Sequence, residues 1–318
     1  MACIQKNTEF LILPPGKHII KFILFMFLFL SGCAESDPVK ISEDFIPAID
    51  PAGDHIELHA RMCRPANTRG PLPLMLFVHG YTTSTYGRSR QKLQLCNSSW
   101  IRWFLDHGYE AVSFLKSGYG NSGGVAADPH LTDSHTGLTD FWSMTSNAAA
   151  QIAVVLDYYT KHSNIDRSRV LLIGHSGGGP EVLRFRNIEK DMTVRKVVLS
   201  PGMGSTISTS FDQTYHLMDK TSLLYAFCRL GRINESEVLW LNVDDDDHFL
   251  VEDENDMIHS FRSCGGKAQV RRLPFVTGMW AHSMYFQPRA IKYWGPPVLS
   301  FALASPKGEE TVQTPTSH

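Results

Sequence analysis

Val170-Leu171-Leu172-Ile173-Gly174-His175-Ser176-Gly177-Gly178-Gly179-Pro180 is the stretch on which the reading of this chain turns. Val170 to Ile173 is a run of branched apolar residues, the pattern of a short strand buried on both faces. The run stops at Gly174, and G-H-S-G-G follows, a match to the G-x-S-x-G pattern that seats a nucleophilic serine. The chemistry explains the glycines. A serine on a sharp strand-to-helix turn sits in a strained backbone conformation, and side chains two residues to either side would clash. Pro180 falls in the first turn of a following helix, where proline gives up no hydrogen bond. Glu181 to Arg186 continues that helix, whose N-terminus would face a developing oxyanion. A bare pattern of this kind also fits a glycine-rich turn with a chance serine, so the rest of the chain decides.

Upstream, Phe45 to Ile49 and Ile56 to Cys63 read as strands joined through Pro51-Ala52-Gly53-Asp54, a turn-rich hinge. His55-Ile56-Glu57-Leu58-His59 superficially resembles a metal-binding pair. The zinc motif H-E-x-x-H needs a helix, whereas this is H-x-E-x-H on an alternating strand, so no metal site is assigned. Pro73 to Val78 is another buried strand and ends in His79-Gly80-Tyr81. Asn97 or Ser98 caps a helix carrying Trp100, Trp103 and Phe104 that stops at Gly108. Tyr109 to Leu115 is the next strand, followed by the glycine-rich Gly118-Tyr119-Gly120-Asn121-Ser122-Gly123-Gly124. Ala148, Ile152, Val155, Leu156 and Tyr159 then share one helical face.

Downstream, Lys196 to Leu199 is a strand leaving through Ser200-Pro201-Gly202. Residues 203 to 236 separate it from the next strand, with Met218, Leu223, Leu224, Phe227 and Leu230 at partly helical spacing. A short cap over the site and an ordinary surface helix fit equally. Val238 to Val243 is a strand running into Asp244-Asp245-Asp246-Asp247. Eight acidic residues fall between 244 and 256; their spacing lacks the EF-hand pattern, so they read as a solvated face. Met257, Ile258 and Phe261 suit an amphipathic helix, and Gln269 to Phe275 is the last clear strand. Of the fourteen histidines, His282 alone lies after the acidic run in a loop following a terminal strand. His259 sits on the preceding helix and reads as structural.

Strand and H-G-Y, strand and glycine loop, Ser176, the aspartates, then His282: the order Ser…Asp…His on these elements resembles the α/β-hydrolase superfamily, of the esterase, dienelactone-hydrolase and prolyl-oligopeptidase-like sort. The resemblance covers about residues 43 to 295. It implies a mostly parallel central sheet with helices on both faces and a triad of Ser176, Asp246 and His282. Asp246 is chosen by aligning Asn242-Val243 with the H-G of H-G-x-x-D-x-x-V, with Asp245 next. The same resemblance puts an oxyanion hole at the backbone N–H groups of Tyr81 and Gly177. Residues 118 to 124 resemble R-G-x-G-x-S-x-G, but Leu115 and Ser117 stand where Asp and Arg usually brace that loop. No cofactor is implied. His175, beside the serine, reads as a packing residue.

The first 32 residues read as a leader. Lys17 and Lys21 precede the apolar run Phe22 to Leu30, too short to span a bilayer comfortably. Leu30-Ser31-Gly32-Cys33 resembles the lipobox of bacterial lipoproteins, implying cleavage before a lipid-modified Cys33 and a cell-envelope location with the membrane as partner. An uncleaved anchor is the alternative. Residues 33 to 42 are expected to be a tether, 43 to 300 the catalytic domain and 301 to 318 a polar tail. The leader carries Lys6, Lys17, Lys21 and Glu9, so its loss moves the formal charge from −2 to −4. With no basic run, nucleic acid is not expected as a partner. Cys63, Cys96, Cys228 and Cys264 allow three disulfide pairings or none, and oligomeric state is not legible.

The expected activity is serine hydrolysis of a small carboxylic ester. A serine peptidase of related fold is the alternative, and a non-catalytic surface binder the third.

Overall fold

The computed structural model of the chain describes residues 38–82, 84–126, 140–202 and 220–304. The described residues form one unit around an eight-stranded sheet of order β1-β2-β4-β3-β5-β6-β7-β8. β1 (Val39–Ile49) and β2 (His55–Pro65) make an antiparallel hairpin, and β2 pairs antiparallel with β4 (Glu110–Phe114). β4, β3 (Leu72–Val78), β5 (Ile165–His175), β6 (Val194–Leu199), β7 (Val238–Val243) and β8 (Ala268–Leu273) are mutually parallel. This is the sheet that the resemblance implies.

Seven α-helices are described: α1 (Thr85–Ser89), α2 (Ser99–Asp106), α3 (Phe141–His162), α4 (Gly178–Arg184), α5 (Lys220–Ile233), α6 (Val251–Ser263) and α7 (Ile291–Leu303). Parallel strands need crossovers, and these helices cover both faces of the sheet. β3 shows the division, since alternate residues point to opposite sides. Leu74, Leu76 and Val78 pack with α3, α4, α5 and α6. Met75 and Phe77 pack with α2 and α7.

The chain leaves β3 toward β4 on one side and β5 toward β6 on the other, although β3 and β5 are neighbours. A crevice opens at such a reversal, at the carboxyl ends of the strands. Val78 lies beside Gly174 there, which brings His79-Gly80-Tyr81 against Ser176.

Three expectations change. β1 begins at Val39, whose register partner is Pro65, so strand replaces the expected tether from that residue on. Residues 203–219 lie outside the described residues, but Lys220–Ile233 is helix α5, with Leu223, Ala226, Phe227 and Leu230 buried in the core. That half of the segment is an ordinary crossover helix, because its apolar face is used up on the sheet. The chain also stays helical to Leu303: Trp294, Val298 and Phe301 bury one face of α7 despite Pro296 and Pro297. Cys33 and residues 305–318 lie outside the described residues. No described helix is long and apolar enough to cross a membrane.

The four cysteines pair as Cys63–Cys96 and Cys228–Cys264. The second ties α5 to the residue after α6 across a separation of 36 residues. Closing a loop of that size in the unfolded chain contributes about 4 kcal/mol. The double variant Cys228→Ala/Cys264→Ala should therefore lose stability of that order, read as a lower denaturant midpoint. An unchanged midpoint would contradict the loop-closure account.

Candidate active site

Ser176 follows β5 directly and has φ 53°, a left-handed conformation that non-glycine residues rarely hold. Its surroundings enforce it. The Ser176 amide donates to Leu199 O of β6 at 2.9 Å, and its carbonyl accepts from Gly179 N at 2.9 Å and Gly202 N at 3.2 Å. A Cβ on Gly174 would overlap the Gly178 carbonyl, and one on Gly178 would overlap the Val78 carbonyl. Three backbone segments thus meet where only glycine fits. The side chain of Ser176 stays partly exposed.

The H-G-Y turn lies against this corner. A Cβ on Gly80 would stand 2.9 Å from Ser176 Cβ, and the Tyr81 ring packs on the Cα of Gly177. Among the described residues, neither the Tyr81 nor the Gly177 amide donates to another backbone group.

Lys116 stands over the Tyr81 ring, its Nζ 4.1 Å from the centroid. The same Nζ donates to Glu181 Oε1 at 2.8 Å and Oε2 at 3.1 Å, with both residues buried. Burial pushes the ammonium of Lys116 down and the Glu181 carboxyl up, and the charge of each opposes the shift in the other. This pair braces α4 against the loop after β4. Ser122 Oγ donates to Leu115 O and accepts from His59 N, while Gln151 bonds both the amide and the hydroxyl of Ser117. The glycine loop is therefore pinned by other means than the usual Asp and Arg.

The second half of the site forms after β7. Asp245 takes φ 56°, and this turn carries Asp246 inward while Asp244 and Asp245 remain at the surface. Asp246 Oδ1 and Oδ2 lie 3.0 and 3.1 Å from His282 Nδ1. An ionised carboxylate only accepts, so Nδ1 carries the proton and Nε2 is left as an acceptor. Nε2 is buried and has no hydrogen-bond partner among the described residues. Burial pushes the Asp246 carboxyl up, but the His282 hydrogen bond and charge, Ser200 and the His248 amide outweigh it, and its pKa falls below the ordinary value.

Asp247, expected on a solvated face, accepts the backbone N–H of His282 at 3.0 Å. His175 does more than pack: its Nε2 donates to the His282 carbonyl at 2.7 Å, with ring centroids 4.7 Å apart. Burial, then the neighbouring His282, lowers the His175 pKa to about 3, so it stays neutral and is no second base. The residue before Ser176 thereby ties the histidine loop to the serine turn. Ser176 Oγ and His282 are not themselves joined by a hydrogen bond. Such bonds commonly tighten only with substrate in place.

Asp246, His248 and His282 offer donor atoms within 4.8 Å of one another. Imidazole lone pairs lie in the ring plane, however, and the rings of His248 and His282 are stacked 4.0 Å apart at 13°. Near-parallel planes do not converge on an ion about 2 Å from each nitrogen. The arrangement is that of a hydrogen-bonded clamp.

Glu254, expected on a solvated face, is buried beside Arg272, whose Nη1 is 2.8 Å away. Its position was legible: 254, 257, 258 and 261 share one helical face. The partnerships of Lys116 with Glu181 and of His175 with His282 had no sequence signal, being separated by 65 and 107 residues.

Burial drives the Glu254 carboxyl up to about 7, opposed by Arg272 and reinforced by Asp246. A folded-state pKa above the unfolded one stabilises fully below the unfolded value of about 4.5 and is lost as pH rises through about 7. The melting temperature of the wild type should thus fall between pH 5 and 8, by the equivalent of roughly 3 kcal/mol at most. Glu254→Gln should lack that part of the fall. Identical pH dependence in both would contradict the assignment.

Residues 54–153 match the family model for X-Pro dipeptidyl-peptidase (S15 family), a segment that holds the H-G-Y turn but ends before Ser176. Among curated proteins no match is found. An esterase of Pyrococcus furiosus superposes with TM-score 0.52 at 16% identity, covering 84% of this chain and 92% of that one. Est1E of Butyrivibrio proteoclasticus, solved with ferulic acid bound, gives 0.50 at 19%, covering 80% and 98%. The acylaminoacyl peptidase of Pyrococcus horikoshii gives 0.55 at 14%, covering 88% of this chain but only 44% of its own. The chain has the α/β-hydrolase fold. The structures it resembles include hydrolases of both esterase and peptidase type.

Proposed function

We propose that the protein is a serine hydrolase of carboxylic esters acting through an acyl-enzyme. The observation that carries this is the His282–Asp246 pair tied by His175 to the strained turn that presents Ser176. In this reading Ser176 Oγ attacks the ester carbonyl while His282 Nε2 takes its proton. Asp246 fixes the tautomer and stabilises the imidazolium. The amides of Tyr81 and Gly177 receive the oxyanion, each donor worth about 3 kcal/mol. The proton on His282 then passes to the leaving alkoxide. His282 then deprotonates a water that attacks the acyl carbon, and it returns that proton to Ser176 Oγ as the Oγ–acyl bond breaks and the acid leaves, with no cofactor taking part.

The family match over residues 54–153 favours a second reading, hydrolysis of peptide-like amides by the same machinery. A panel of p-nitrophenyl esters and aminoacyl-anilides separates the two. Turnover of esters well above anilides supports the first, and the reverse supports the second. Cleavage of neither, with no fluorophosphonate adduct on Ser176, supports the third reading, a binding module.

In either case Ser176→Ala should abolish turnover without unfolding, and Asp246→Asn should lower kcat by about four orders of magnitude. An active Ser176→Ala protein, or Asp246→Asn at the wild-type rate, would remove the respective role.

We also infer, from the sequence of the leader alone, that the mature protein begins at a lipid-modified Cys33 and is held at a bacterial envelope membrane. Two disulfides suit such an oxidising compartment. Cys33→Ser should accumulate as a heavier, unprocessed precursor by mass spectrometry. Cleavage of the variant at the same site would contradict the anchor.

A further inference from the structure

One histidine near the site has no role in the mechanism above. The side chain of His248 is 45% exposed, and a histidine at such a surface is ordinarily free to choose among rotamers. Here two contacts hold the ring and a third anchors its backbone. Its ring lies on that of His282 at 4.0 Å and 13°. Its Nδ1 is 3.3 Å from Asp247 Oδ1, the oxygen that also accepts the His282 amide at 3.0 Å. Its own amide donates to Asp246 Oδ1 at 2.8 Å, the oxygen lying 3.0 Å from His282 Nδ1. Three successive residues therefore grip His282 at its ring nitrogen, its backbone and its ring face.

We propose that His248 is a positioning residue for the general base, stacking on His282 so that its imidazole holds the plane in which Nε2 can reach Ser176. The inference rests on the hydrolase reading above and deepens it. A hydrogen bond at Nδ1 alone is a pivot, about which the ring can still swing. Contact along the whole face stops that swing, and the other ring neighbours, His175 at 48° and Phe249 at 64°, meet His282 at steeper angles. Small misplacements of a catalytic group cost up to about a hundredfold in rate.

The stack also bears on charge. The charged and titratable groups facing His248 among the described residues are Asp246 and Asp247 from its own turn, His282 from the loop after β8 and, beyond it, His175 at the end of β5. Burial and then the His282 charge lower the pKa of His248, against Asp247. A neutral ring over His282 presents a polarisable face to the imidazolium that forms in turnover. A cation at that place would instead disfavour the imidazolium.

Four proteins test this on the best ester of the panel: wild type, His248→Ala, His248→Phe and His248→Lys, each with kcat, KM and a pH–rate profile. His248→Ala should lose about tenfold in kcat with KM little changed. His248→Phe, which can restack a flat ring, should recover to within about threefold of wild type. In His248→Lys the fixed charge lowers the proton affinity of His282, so the acid limb should move to lower pH while kcat falls. Wild-type kcat in His248→Ala, or an acid limb unmoved in His248→Lys, overturns the proposal. Failure of the underlying reading looks different: wild type then turns over nothing, or its turnover survives Ser176→Ala.

Discussion

The structure depends on one steric constraint, the meeting of three backbone segments behind Ser176. Gly174, Gly178 and the carbonyl of Val78 come so close that no Cβ can be accommodated. That approach lets β5 turn directly into α4 and holds Ser176 at a positive φ. Strain of this kind costs on the order of 1–3 kcal/mol and persists only where the surroundings over-determine it. Here they do: β3 and β6 flank β5, and Leu199 O fixes the serine amide. The consequence is a hydroxyl lifted out of the sheet against the H-G-Y turn at the reversal of strand order.

Around that corner the protein spends polar groups where apolar ones would pack more cheaply. A buried pair such as Lys116 and Glu181 loses hydration, and its mutual attraction roughly offsets that loss. What it gains is direction. Two charged groups fix α4 to the loop after β4, with Tyr81 wedged between Lys116 and Gly177. The histidine loop follows the same pattern. Its carbonyl is bound by His175, its amide by Asp247 and its ring nitrogen by Asp246. Donors and acceptors on two different elements, the end of β5 and the turn after β7, thus converge on one residue of a loop, and a loop held so closely behaves as part of the scaffold.

Much of this was legible in the sequence for a physical reason. A parallel sheet covered on both faces leaves continuous apolar runs, and each of Leu74–Val78, Val170–Ile173, Val197–Leu199 and Val238–Val243 announces itself that way. The glycines around Ser176 are a backbone requirement written in residue type. Counting past Asn242-Val243 singles out Asp246, the aspartate of the run that bonds His282 Nδ1. The supporting contacts were hidden because they join residues far apart in sequence through ordinary side chains. Lys116 reads as one more surface lysine and Asp247 as one more solvated acid. The prolines at 296 and 297 concealed α7, whose apolar face carried the better signal. Glu254 belongs by helical phase to the buried face of α6, which a count of charge does not show.

The central claim is that the strained turn presents Ser176 as a nucleophile activated by His282. Reaction of the intact protein with a fluorophosphonate, followed by tandem mass spectrometry of its peptides, tests it most directly. The account predicts a single stoichiometric adduct on Ser176, formed slowly or not at all in a His282→Ala variant. An adduct on another residue, or ester turnover by a protein that forms none at Ser176, would contradict it.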